Sequence, residues 1–167
     1  MMPSLATPEP EQGYLQGYAT VHSWLNGEKC LIADVPIAAG TELCAFSALA
    51  VLESPNYLTL QVGVNKHILL NPPVLQYINH SCEPNVFFDT SAMLLLALKD
   101  IKPKEELKFF YPSTEWEMDR SFICNCHAST CLGIIRGARF IPKNILAKHR
   151  LTGFIQQQMA TSGLENE

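Results

Sequence analysis

Tyr77-Ile78-Asn79-His80-Ser81-Cys82-Glu83-Pro84-Asn85 is the stretch that decides how this chain is read. Asn79, His80 and Ser81 set three polar side chains in succession, and Pro84 stops a regular strand or helix from running on. Buried polar groups need hydrogen-bond partners, so this density of donors and acceptors on irregular backbone points to a ligand site. A solvated turn is the plainer reading of the same composition.

Two further motifs follow downstream. Glu105-Glu106-Leu107-Lys108-Phe109-Phe110-Tyr111 is an acidic turn leading into an aromatic, strand-like run. On its own it is a core strand ending in tyrosine. Cys124-x-Cys126-x4-Cys131 then puts three of the six cysteines within eight residues. Thiolates so close in sequence can converge on one tetrahedral zinc ion at about 2.3 Å each. A fourth ligand is still needed. His127 could serve, but it directly follows Cys126, and a distant cysteine is the better candidate. Cys82 is the one in a polar, turn-rich segment, whereas Cys30 and Cys44 lie in apolar strand patterns and read as small core residues.

The 167 residues suit one domain. Hydrophobic residues make up 47% and charged residues 17%, which excludes a disordered chain. No apolar run reaches the ~20 residues of a membrane span; the longest, Ala92 to Leu98, stops at Lys99-Asp100. Met1 to Gln12 is Pro- and Glu-rich, lacks a signal-peptide pattern and reads as a flexible tail. The expectation is a soluble intracellular protein, cytoplasmic, or nuclear if the source is eukaryotic, with no membrane partner. A net charge of −4 and a pI near 5.7 argue against nucleic acid and suit a basic protein or peptide.

The rest of the pattern is β-rich. Strands are expected over Tyr14 to Val21 and Lys29 to Val35, joined at the Asn26-Gly27 turn. More are expected at Glu42 to Phe46, Leu49 to Glu53, Tyr57 to Val62, Lys66 to Leu70, Val86 to Asp89, Met93 to Leu98 and Leu107 to Tyr111. Pro112 to Phe122 reads as loop. Asn144 to Met159 is helical, interrupted by Gly153. The expected division is a tail over 1–12, a β-domain over 13–115, a metal-binding segment over 116–141 and a helical extension over 142–167.

Taken in order, Asn79-His80-Ser81-Cys82-x-Pro84-Asn85, Glu106-Leu107-x-Phe109-x-Tyr111 and Cys124-x-Cys126-x4-Cys131-x-Gly133 resemble the SET-domain protein lysine methyltransferases with a post-SET zinc segment. The resemblance runs from about Tyr14 to Ile141. It implies small curved β-sheets around a knot-like crossing of the Asn79–Asn85 and Leu107–Tyr111 segments, with short C-terminal helices. It implies one structural zinc on Cys82, Cys124, Cys126 and Cys131. S-adenosylmethionine would lie against Asn79, His80 and Tyr111, with contacts from Lys29 and Cys30. The family has Gly-x-Gly where this chain has Glu28-Lys29-Cys30, and Asp or Asn where it has Phe110.

The implied reaction is an in-line displacement by an uncharged lysine amine, with Tyr111 closing the channel and orienting the amine. Phe109 and Tyr57 would line the lysine channel, with Tyr18 a weaker candidate. In the family, Phe rather than Tyr at the position of Phe109 goes with di- or trimethylation. Two other classes compete. One is a SET-like peptide-binding module with little or no activity; the other is a zinc-stabilised structural protein.

Overall fold

The computed structural model describes residues 13–163; the expected tail over 1–12 lies outside them. Strands β1 (Tyr14–Leu15), β2 (Ala19–Ser23) and β3 (Lys29–Ala33) form an antiparallel sheet. The expected first strand is broken because Gly17 takes φ 82°, a left-handed turn that Gly enters without strain. The Trp24–Glu28 loop closes the next hairpin: the Trp24 N–H donates to the Glu28 carbonyl, and Asn26 Oδ1 accepts from the Glu28 N–H.

β4 (Glu42–Ala45), β5 (Ser47–Leu52), β6 (Thr59–Gly63) and β7 (Lys66–Asn71) come next, then β8 (Asn79–His80), β9 (Val86–Asp89), β10 (Leu94–Ala97) and β11 (Lys108–Phe109). β5, β7 and β6 form one antiparallel sheet and β4, β10 and β9 another. β6 begins at Thr59, two residues later than expected. Asn56 Oδ1 accepts from the Leu58 N–H, and the Asn56 carbonyl accepts from the Thr59 N–H, so Tyr57 sits on a turn.

β8 and β11 pair in parallel, with Asn79 opposite Lys108 and His80 opposite Phe109. The two segments stay joined past the strands. The Ser81 N–H donates to the Phe109 carbonyl and the Asn85 N–H to the Lys108 carbonyl, while Asn85 Oδ1 accepts from the Lys108 N–H and Asn85 Nδ2 donates to the Glu106 carbonyl. Asn85 is buried, and its amide is spent on holding this crossing. The aromatic run is strand only over Lys108–Phe109, because it turns into a 3₁₀ helix at Tyr111–Ser113.

β12 (Phe122–Ile123) and β13 (Ile134–Ile135) bracket the cysteine loop. α1 (Lys143–Leu146) and α2 (Gly153–Ser162) close the described chain. The helical stretch is split over 147–152, and Gly153 opens α2 rather than interrupting a helix. Tertiary contact overrides helix propensity here. The His149 ring stacks on Phe110 with centroids 3.8 Å apart, the Thr152 N–H donates to the Ser113 carbonyl, and Thr152 Oγ1 caps α2 by accepting from the Ile155 N–H.

Three apolar clusters hold these pieces. The main one joins Leu31, Phe88 and Leu95 from three strands with Leu107, the residue before β11, all with no exposed surface. A second packs Phe110 against Ala138, Leu146, Leu151 and Ile155, so the C-terminal helices lean on the strand that carries the site. The third surrounds Cys82, Cys124 and Ile135. No described helix is long and apolar enough to cross a membrane.

Candidate active site

The crossing of β8 and β11 forms one wall of a large cleft, with a volume of about 1130 Å³. Asn79, His80, Phe109, Tyr111, Lys29 and Tyr57 all line it. Each gets there for a local reason. Asn79 Nδ2 donates to the Lys29 carbonyl and to Glu106 Oε1, both at 3.0 Å, which ties the first sheet to the crossing. Lys29 Nζ lies 4.9 Å from the centre of the Tyr77 ring and donates to its hydroxyl at 3.5 Å. Tyr57 is 88% exposed and stands at the rim on its Asx turn.

Cys30 is placed differently from the other expected cofactor contacts. Its side chain is fully buried beneath the first hairpin, its thiol donates to the His22 carbonyl, and it does not line the cleft. Burial pushes that thiol's pKa up, in keeping with a neutral core residue. Cys44, also read as core, is half-buried, and Tyr18 packs against the main core outside the cleft lining.

Tyr111 opens the 3₁₀ turn with its ring between Phe109, at 4.7 Å, His80, at 5.2 Å, and Phe122, at 5.8 Å between centroids. Its backbone N–H donates to His80 Nδ1 at 3.1 Å. Nδ1 therefore accepts, and the ring proton belongs on Nε2, which faces Cys82 Sγ at 3.4 Å. Burial above all, then the charges of His149 and Lys108, lowers His80 to about 4, so its ring is neutral. Burial also raises the Tyr111 phenol, helped by the carboxyls of Glu115 and Glu106, and keeps it a hydrogen-bond donor. Phe109 is buried and meets Phe88 edge-on at 4.8 Å, so it belongs to the core and to the cleft wall at once. Phe110 points the other way, into the C-terminal cluster.

The expected metal ligands converge. The Sγ atoms of Cys82, Cys124, Cys126 and Cys131 all lie within 4.8 Å of one another. A tetrahedral zinc with bonds of ~2.3 Å needs sulfurs ~3.8 Å apart; Cys82 and Cys124 are at 4.0 Å. The donor set fits one zinc ion. Cys82 Sγ also takes the Leu132 N–H at 3.4 Å, the kind of outer contact that orients a thiolate ligand. His127, the competing fourth ligand, is exposed and outside this group.

Two residues that the motifs did not single out, Phe122 and Glu115, complete the wall, with Gln61 bonded to the second. Phe122 packs edge-on against both His80 and Tyr111. Gln61 and Glu115 are locked to each other: Glu115 Oε2 accepts from the Gln61 N–H at 3.0 Å, and Gln61 Oε1 accepts from the Trp116 N–H at 2.9 Å. Glu115 falls in a stretch without periodicity, so nothing in its sequence setting marked it.

This fold is that of the SET domain, whose family model matches residues 28–112, half of the chain. The chain belongs to the SET-domain family and is an S-adenosylmethionine-dependent methyltransferase of that type. It is similar to the methyltransferase flvH of Aspergillus flavus, 31% identical over 128 residues that make up 75% of this chain and 71% of that protein. It is also similar to the histone-lysine N-methyltransferase set9 of Schizosaccharomyces pombe, 28% identical over 119 residues, 62% of this chain and 26% of that one. Among solved structures, KRYPTONITE in complex with mCHG DNA and SAH aligns with a TM-score of 0.55 at 21% identity. That alignment covers 70% of this chain and 28% of KRYPTONITE, so the present chain spans little more than a quarter of set9 or of KRYPTONITE.

Proposed function

We propose that this protein transfers methyl groups to the ε-amine of lysine in a protein or peptide, giving di- or trimethyllysine. The observation that carries the reading is the meeting of Tyr111, Phe109, Asn79 and His80 in one cleft, with the Tyr111 phenol held neutral in its wall. When bound, S-adenosylmethionine supplies an electrophilic methyl carbon. The chain's own work is to align an amine with that carbon and exclude water, effects that can lower a barrier by several kcal/mol.

Asn79 and His80 form the cofactor side of the cleft, and the paired backbone of β8 and β11 fixes their positions. Lys29 lies beside them, and its carbonyl is held by Asn79. Tyr111 orients the amine through its hydroxyl. Phe109, lacking a hydroxyl, holds no water against the amine, so an already methylated nitrogen has room to turn. Tyr57 forms part of the outer channel. The four cysteines would hold a structural zinc that keeps Phe122 and the residues after it over the cleft.

The substrate class is a basic, lysine-bearing segment. The net charge of −4 favours such a partner, and the names of set9 and of a KRYPTONITE complex with an H3(1-15) peptide agree with it. A cleft that binds cofactor but transfers nothing would instead mark a peptide-binding module. The test is incubation with isotopically labelled S-adenosylmethionine and a lysate, followed by mass spectrometry of the labelled protein. Methylated lysine supports the proposal; cofactor binding by calorimetry with no transfer to any lysine overturns it.

A further inference from the structure

We infer that Glu115 is the anionic receptor for the substrate amine: it draws a cationic alkylamine to the inner end of the cleft beside Tyr111 and takes one proton from it. The inference rests on the amine-methylating reading above and adds to it the group that selects the substrate's charge.

Four acids line the cleft: Glu28, Glu106, Glu115 and Asp119. Glu106 is held by Asn79 Nδ2 at 3.0 Å and by Lys108 Nζ at 3.2 Å, so its charge is neutralised within the crossing. Glu28 and Asp119 are exposed. Glu115 alone of these four is both embedded in the wall and without an ion pair among the described residues. One backbone N–H, from Gln61, bonds its Oε2, and no side-chain cation among the described residues is within salt-bridge distance. A carboxylate in this setting lacks the counter-charge that burial demands.

Its position suits an incoming amine. The Glu115 N–H donates to the Tyr111 carbonyl at 3.0 Å, so the two residues bound one tight turn, and both line the cleft. The Gln61 lock fixes the carboxyl from the opposite strand, so its place does not depend on a ligand. Burial raises Glu115 to about 8, against the smaller lowering by the Gln61 N–H. Its ionised form is the one that draws the cation and accepts the proton, so the preference for a cation should strengthen as the pH rises towards 8. A lysine ammonium, with an ordinary pKa of ~10.4, has no lone pair until it loses a proton. In the step inferred, one N–H bond breaks, its electron pair stays on nitrogen, and the proton forms an O–H bond on Glu115. The products are a neutral amine and a neutral carboxylic acid, so no charge is left in the wall.

The test needs no knowledge of the natural substrate. Binding of n-butylammonium and of uncharged n-butanol is followed by amide chemical shifts of the cleft residues in the zinc-loaded protein. The expectation is that n-butylammonium shifts the amides of Gln61, Glu115 and Trp116, and binds at least about tenfold more weakly to Glu115→Gln. Butanol should bind both proteins alike, which also shows that the variant is folded. Tyr111→Phe should retain the preference for the cation. Equal n-butylammonium affinity in wild type and Glu115→Gln, or none in wild type, overturns the inference. Transfer of methyl groups to lysine in a lysate separates the two readings. Lysine labelling that Glu115→Gln leaves intact removes the amine receptor and keeps the lysine reading. Charge-selective binding through Glu115 without lysine labelling does the reverse.

Discussion

Replacing Glu115 by Gln should make the protein more stable at alkaline pH and leave it nearly unchanged at acid pH. The side chain sits in the cleft wall with a single N–H donor and no ion pair among the described residues, and burial raises its pKa to about 8. In the unfolded chain the same carboxyl titrates at ~4.3. Between those values the native state binds more protons than the unfolded state, so the contribution of Glu115 to stability falls as pH rises. The penalty is absent below about pH 4 and complete above about pH 8. At ~1.4 kcal/mol per tenfold change in proton affinity the ceiling is ~5 kcal/mol. Water in the open cleft screens the charge and reduces that to about 2 kcal/mol. Gln keeps the shape and an oxygen for the Gln61 N–H but has no charge to bury. Urea unfolding of both proteins at about pH 5 and about pH 9 measures the difference, and the titration of the cysteines and histidines largely cancels between them. A stability gap that does not grow with pH, or a wild type that is the more stable at alkaline pH, would refute the reasoning.

Other expectations follow from the same geometry. Asn79→Ala removes the tie between the Lys29 carbonyl and Glu106 and should weaken S-adenosylmethionine binding by about 1–3 kcal/mol, read by calorimetry. Elemental analysis should find one zinc per chain, and chelation should raise hydrogen exchange after Phe122 while leaving the sheet of β5, β6 and β7 protected. Phe109→Tyr places a hydroxyl beside Tyr111, 4.7 Å away between ring centres, and should shift the product towards monomethyllysine by mass spectrometry.

Much of the site is legible in the sequence because it is built from contiguous motifs. Asn79 to Asn85 and Glu106 to Tyr111 each carry their residues on one short segment, and the cysteine spacing restricts the loop by itself. The fourth ligand required a choice between Cys82 and His127; the sulfur of Cys82 lies with the other three, and His127 lies outside that group. Other features depend on contacts distant in sequence. Cys30 alternates with Lys29 on β3, so when one faces outwards the other enters the core, a question of register that the motif did not settle. The C-terminal helix splits because His149 stacks on Phe110, 39 positions earlier in the chain. Tyr57 leaves the strand because Asn56 caps its own turn. Glu115 acquires its character from burial and its fixed place from Gln61, which reaches it only once β6 packs beside the Tyr111 turn.

The central claim is that this cleft methylates lysine and that Tyr111 aligns the amine. Purified zinc-loaded protein and its Tyr111→Phe variant are each given labelled S-adenosylmethionine and the same lysate, and the labelled residues are identified by mass spectrometry. The variant keeps the ring and its contacts with His80, Phe109 and Phe122, so folding and cofactor binding should persist. The account predicts di- and trimethyllysine with the wild type and a loss of about a hundredfold or more with Tyr111→Phe. Label on a residue other than lysine, or equal transfer by the two proteins, would contradict it.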